Sequence, residues 1–128
     1  MIQNEGAVDE LPSVFTVREV ATLLRVDPSV ITRLLQRRVL HGFRAGRLWR
    51  IPRNALLQML GLQQEEARWL SEPLLTTEEV ARALRVTPEA VSLWARRGKV
   101  RGVRVGALWR IPASELRALM GTTEESEE

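Results

Sequence analysis

The sequence predicts a mainly α chain with small β-hairpins, of the α+β class, in which one compact unit is built twice in tandem. Two observations carry this expectation. Residues 15–61 lie over 75–121 at a spacing of sixty residues without a gap, and nineteen positions recur identically, among them Thr16, Glu19, Arg25, Gly42, Gly46, Leu48, Trp49 and Pro52. Within each copy the apolar spacing is first helical, then strand-like around one glycine, then helical again. Solenoids need at least three units to close a core, so two units of this size read as a pair of small domains. The expected organisation is an acidic, disordered N-terminal segment over 1–12 and a first domain over 13–61. A connector, helical or extended, follows over 62–74, then a second domain over 75–121 and a disordered acidic tail over 122–128.

Each element has a local reason. Thr16-Val-Arg-Glu19 and Thr76-Thr-Glu-Glu79 have the spacing of a capping box, in which the threonine hydroxyl and the glutamate carboxylate each satisfy a backbone N–H at a helix start. Val20, Ala21 and Leu24 then recur at helical spacing, as do Val80, Ala81 and Leu84. Asp27-Pro28 and Thr87-Pro88 place a capping side chain before a proline at the first helical position, where the missing N–H costs nothing. A second helix with Val30, Ile31, Leu34 and Leu35 on one side begins there, matched by Ala90, Val91, Trp94 and Ala95. Two short helices joined by about three residues make a helix-turn-helix. Leu40 to Arg44, Ala45-Gly46 and Arg47 to Ile51 then read as strand, tight turn and strand, a pattern that Val100 to Ile111 repeats around Gly106. Pro52 and Pro112 open a third helix, with Gly61 and Gly121 as its stops. The tryptophans Trp49, Trp94 and Trp109 are expected to pack the core rather than stack on a base.

Charge separates the body of the chain from its ends. The whole carries +3, but 1–12 holds three acids and no base, and 121–128 four acids and no base. Between Ser13 and Met120 there are 19 basic against 9 acidic residues, nine of the bases in each copy. A compact basic domain points to a polyanion, and to nucleic acid first. Absent cysteine and a single histidine, His41, leave no disulfide framework and no cluster of metal ligands, so neither metal nor cofactor is expected. No nucleophile–base constellation, phosphate loop or carboxylate pair argues for an enzyme or a small-molecule substrate. The first residues lack the pattern of a signal peptide and no apolar run approaches a membrane span, which predicts no membrane partner and a cytoplasmic location.

The run Thr16-x-x-Glu19-Val20-Ala21-x-x-Leu24-x-Val26, the helix ending at Arg37 and the hairpin Phe43-Arg-Ala-Gly-Arg-Leu-Trp-Arg-Ile-Pro52 resemble the phage excisionase and MerR-like winged helix-turn-helix domain. Val103-Arg-Val-Gly-Ala-Leu-Trp-Arg-Ile-Pro112 resembles the same hairpin, or wing, more closely still. The resemblance covers about three-quarters of the chain. It implies two tandem winged helix-turn-helix domains of bacterial or phage origin that bind double-stranded DNA, acting in transcription regulation or as an excisionase-like architectural factor. The second helix would enter the major groove and the wing would follow the neighbouring minor groove or backbone. Pro28, Pro88, Thr32 and Ser92 depart from the family's usual residues, so base contacts are not carried over at those positions.

The candidate DNA contacts follow from the exposed side of each second helix and from the wing. In the first copy they are Ser29, Thr32, Arg33, Gln36 and Arg37, with Arg33 suited to a guanine edge and Gln36 to adenine. In the second copy they are Ser92, Arg96 and Arg97. Arg44, Arg47 and Arg50, then Arg104 and Arg110, are backbone or minor-groove clamps. Thr16 and Thr76, at helix starts, are expected to offer backbone N–H groups to a phosphate. Leu93 and Glu89 stand where the first copy has Arg33 and Ser29, and the first copy carries +7 against +5, so it is the expected primary reader. The alternative is a protein interaction module in which one winged domain, the second by preference, has lost DNA binding. Further self-association or a protein partner stays open. The connector spans at most about 45 Å extended and about 20 Å if helical, which brackets the roughly 34 Å between successive major-groove faces.

Overall fold

The computed structural model describes residues 11–126, with side chains described as far as Gly121. The chain divides into two compact units at Ser71/Glu72, each holding one copy of the repeat. The first unit runs β1 (Val14–Phe15), α1 (Val17–Leu24), α2 (Pro28–Gln36), β2 (Phe43–Ala45), β3 (Leu48–Pro52) and α3 (Arg53–Leu60), then a 3-10 helix over Gln64–Ser71. The second runs β4 (Leu74–Thr76), α4 (Thr77–Leu84), α5 (Pro88–Arg96), β5 (Val103–Val105), β6 (Leu108–Pro112) and α6 (Ala113–Ser126).

Both capping boxes form. Thr16 Oγ1 accepts from the Glu19 N–H at 3.1 Å while Glu19 Oε1 accepts from the Thr16 N–H at 2.9 Å, and Thr76 with Glu79 repeats both bonds at the same distances. The two helices of each motif meet through a turn whose first residue, Arg25 or Arg85, is left-handed at φ 59° or 60°. Val26 and Val86 then donate back to the carbonyls of Ala21 and Ala81 at 3.0 Å, which fixes the turn without a glycine. The inward faces supply the core. Val20, Ala21, Leu24, Ile31, Leu35, Leu40, Ile51 and Leu56 are buried in the first unit, and Val80, Ala81, Val91, Ala95, Val100 and Ile111 form one cluster in the second.

The sheet has three strands in each unit, not the two of the expected hairpin. The order is β1-β3-β2 and β4-β6-β5, all antiparallel, because the short segment before each capping threonine pairs with the returning wing strand. The outgoing wing strand begins at Phe43 instead of Leu40, and Gly42 supplies a reason. A Cβ there would lie 2.7 Å from Leu35 Cδ2 and 2.9 Å from the Arg50 carbonyl oxygen, so the chain leaves α2 in a packed corner before it can pair.

The third helices end differently. In the first unit Gly61 is left-handed at φ 72°, its N–H donates to Gln58, and the Leu62 N–H donates to Leu57 at 2.9 Å, with Leu57 and Leu62 both buried. This is a Schellman stop with its apolar contact. It also separates α3 from the 3-10 helix, so the connector does not extend α3. The expected stop at Gly121 is not made, and α6 continues to Ser126. Thr122 and the exposed Arg117 stand where Leu62 and Leu57 supply that contact in the first unit. Residues 1–10 and 127–128 of the two acidic segments lie outside the described residues.

Candidate nucleic-acid interface

On α2 the burial of Ile31 and Leu35 turns Ser29, Arg33, Gln36 and Arg37 outward, all exposed, with Thr32 half-buried beside them. Ser29 and Arg33 are one helical turn apart, as are Arg33 and Arg37, so they make one ridge with Gln36 adjacent. The ridge starts at a tight cap. Asp27 accepts from both the N–H and the hydroxyl of Ser29, and those hydrogen bonds hold its carboxyl below the ordinary value. The Ser29 hydroxyl proton is therefore committed to the cap.

The wing brings its arginines into three different settings. The two-residue turn Gly46-Arg47, with Gly46 at φ 68°, closes the pair Ala45 and Leu48 and leaves Arg47 exposed at the tip. Arg44 faces Trp49 across the ladder, its guanidinium 4.3 Å from the ring centroid, and donates to the Arg47 carbonyl at 2.7 Å. It therefore braces the tip while its side chain stays exposed. Arg50 is half-buried and donates to the Trp49 carbonyl at 2.7 Å. Trp49 itself is half-buried. It lines a groove of about 260 Å³ shared with Thr16, Arg18, Pro28, Leu48 and Arg50. That groove joins the start of α1, the start of α2 and the wing, so Arg18 of α1 and Arg50 of the wing border one channel.

A family model described as a helix-turn-helix domain matches residues 14–61 and again residues 74–122. The chain belongs to the excisionase-like helix-turn-helix family. No curated protein and no solved structure matched the chain. Two tandem domains of this family support DNA binding by helix-turn-helix. Among the described residues no helix is long and apolar enough to cross a membrane.

Within this helix-turn-helix pair the second domain presents less. Ser92 is half-buried and Arg96 and Arg97 are exposed at the end of α5, while Glu89 is exposed near its start and Leu93 is half-buried where Arg33 stands in the first. Arg104 lies 5.3 Å from the Trp109 ring and donates to the Gly106 carbonyl at 3.3 Å, a looser version of the Arg44 brace. Ala107 replaces Arg47 at the wing tip.

Two expectations are corrected. Arg110 is only 8% exposed, its guanidinium donating to the Trp109 carbonyl at 2.8 Å, so it is not presented as a clamp. The strand paired with it, β5, has Val103 and Val105 buried on the same side, where β2 of the first copy has exposed Phe43 and Ala45. Thr16 and Thr76 do not offer their own N–H groups to a phosphate, because each is donated to the glutamate of its capping box. Sequence reasoning also passed over Arg18, which is exposed in the first turn of α1 and lines the groove with Arg50. Its signal was available, since an arginine two residues past a capping threonine lies at the mouth of the motif, but Glu78 in the second copy breaks the recurrence.

Proposed function

We propose that this chain binds double-stranded DNA selectively, with the first domain as the primary reader, and acts as a transcription regulator or an excisionase-like architectural factor. One observation carries the reading. In the first domain the exposed ridge Ser29, Arg33, Gln36 and Arg37 stands on the helix whose first turn, at Pro28, borders the groove holding Arg18, Leu48 and Arg50. A helix laid in the major groove would bring that channel over the flanking strand. Arg33 is then placed to donate twice to a guanine edge, and Arg18, Arg47 and Arg50 to neutralise phosphates. The ionised Asp27 at the cap disfavours a phosphate there and leaves the base-facing residues to set register.

Selection of bound duplexes from a random pool, followed by titration of two variants, tests this. Arg33→Ala is expected to cost about 1–3 kcal/mol at one base pair and relax preference there. Arg50→Ala is expected to weaken all duplexes alike. Uniform loss in both variants would contradict the division between helix and wing.

A second reading is favoured by a feature of the second domain. Leu84, Val86, Trp94, Leu119 and Met120 line an apolar groove of about 420 Å³, with Met120 50% exposed, whereas its counterpart Leu60 is 6% exposed. With Glu89 exposed on the same domain, this supports a protein interaction role for the second copy. Unchanged affinity for random duplex DNA after Arg96→Ala and Arg97→Ala would favour that role, and a reduced salt dependence would count against it.

A further inference from the structure

Leu48 is 57% exposed, more than any other large apolar side chain among the described residues. It follows the Gly46-Arg47 turn directly and pairs with Ala45. Strand alternation puts it on the side of the hairpin that carries Phe43 and Arg50, opposite to Trp49 and buried Ile51. A single exposed leucine is ordinary on a protein surface. The setting of this one is not. It lines the groove of Thr16, Arg18 and Arg50 and follows Arg47 in the chain, so the apolar tip stands beside cations of α1 and the wing. The turn does not depend on it, since the left-handed Gly46 closes the hairpin, yet Leu108 recurs at the same place in the second copy and is 46% exposed.

The cations around Leu48 suit phosphates, and a leucine gains nothing from a phosphate. Once those cations hold the strand backbones, the apolar surface within its reach is the deoxyribose wall and base edges of the minor groove. Proteins use leucine there as a wedge that partly unstacks a base step, and arginine beside it favours a narrow, A·T-rich groove. Resting on the DNA-binding reading above, we infer that Leu48 is the minor-groove probe of the first wing. It seats at a deformable TA step flanked by A·T pairs and reads groove shape and step flexibility, with Arg47 beside it. Leu108 lacks this function because Ala107 and the buried Arg110 leave it without the flanking cations.

The full chain and its Leu48→Ala, Leu108→Ala and Arg47→Ala variants are titrated against selected duplexes whose wing-proximal flank is either TA-containing or G·C-rich. Burial of a half-exposed leucine corresponds to a loss of about fivefold to tenfold for Leu48→Ala on the TA flank. On the G·C flank the change is expected to be under about twofold, so flank preference collapses while the salt slope stays at its wild-type value. Leu108→Ala is expected to bind as wild type, and Arg47→Ala to reduce the salt slope by about one. A 2-aminopurine placed at the TA step should brighten with wild type and stay dark with Leu48→Ala. Wild-type flank preference in Leu48→Ala, or equal loss on both flanks, would overturn the inference. Failure of the unaltered chain to bind any duplex would instead overturn the DNA-binding reading itself.

Discussion

At the residue scale, the deciding facts are small changes in what one guanidinium or one Cβ touches. Arg50 and Arg110 are identical in sequence, but one is half-buried and the other buried, so the repeat alone does not give both the same exposure. Recurrence fixes a residue's place in the fold, and its exposure depends on neighbours that differ, here Phe43 and Ala45 against Val103 and Val105. Gly42 makes a sharper case. Leu35 is buried and the Arg50 carbonyl is backbone, so neither neighbour of an added Cβ can swing aside. Gly42→Ala is expected to destabilise the first domain by about 1–3 kcal/mol, read as a lowered denaturation midpoint. Unchanged stability would show that the corner is looser than its distances indicate.

At the scale of elements, much was legible in the sequence because the signals were local. The capping boxes and the prolines at the first helical positions formed where their residues predicted, and the first wing turns around the expected glycine but one residue later, at Gly46-Arg47 instead of Ala45-Gly46. What escaped was set by partners distant in the chain. Val14–Phe15 and Leu74–Thr76 are too short to announce themselves as strands, and they exist because β3 and β6 each offer an edge. The two ends of the third helix illustrate the same point, since Gly61 and Gly121 are identical and only the first stops its helix. The difference lies in Leu57 and Leu62 against Arg117 and Thr122. Leu62→Thr, which gives the first copy the second copy's residue, is expected to cost about 2 kcal/mol and to speed amide exchange at Gly61 and Leu62. If exchange there is unaltered, the apolar contact is not what holds the cap.

At the scale of the whole molecule, two like units carry unlike surfaces. The repeat predicts like folds, whereas the charges, the wing tips and the start of each second helix differ between the two units. The excess of ten positive charges between the two acidic ends was plain in the sequence. Which of those charges border one channel was not, because that depends on the packing of α1, α2 and the wing together. The most direct measurement is the salt dependence of duplex binding for the full chain and for two triple variants. One is Arg33→Ala, Arg37→Ala and Arg47→Ala; the other is Arg96→Ala, Arg97→Ala and Arg104→Ala. The unaltered chain is expected to lose affinity steeply as salt rises. The first variant should lose both sequence preference and about two to three units of slope, the second less than half of that. Equal losses in the two variants, or unaltered-chain binding that is indifferent to salt, would contradict these expectations.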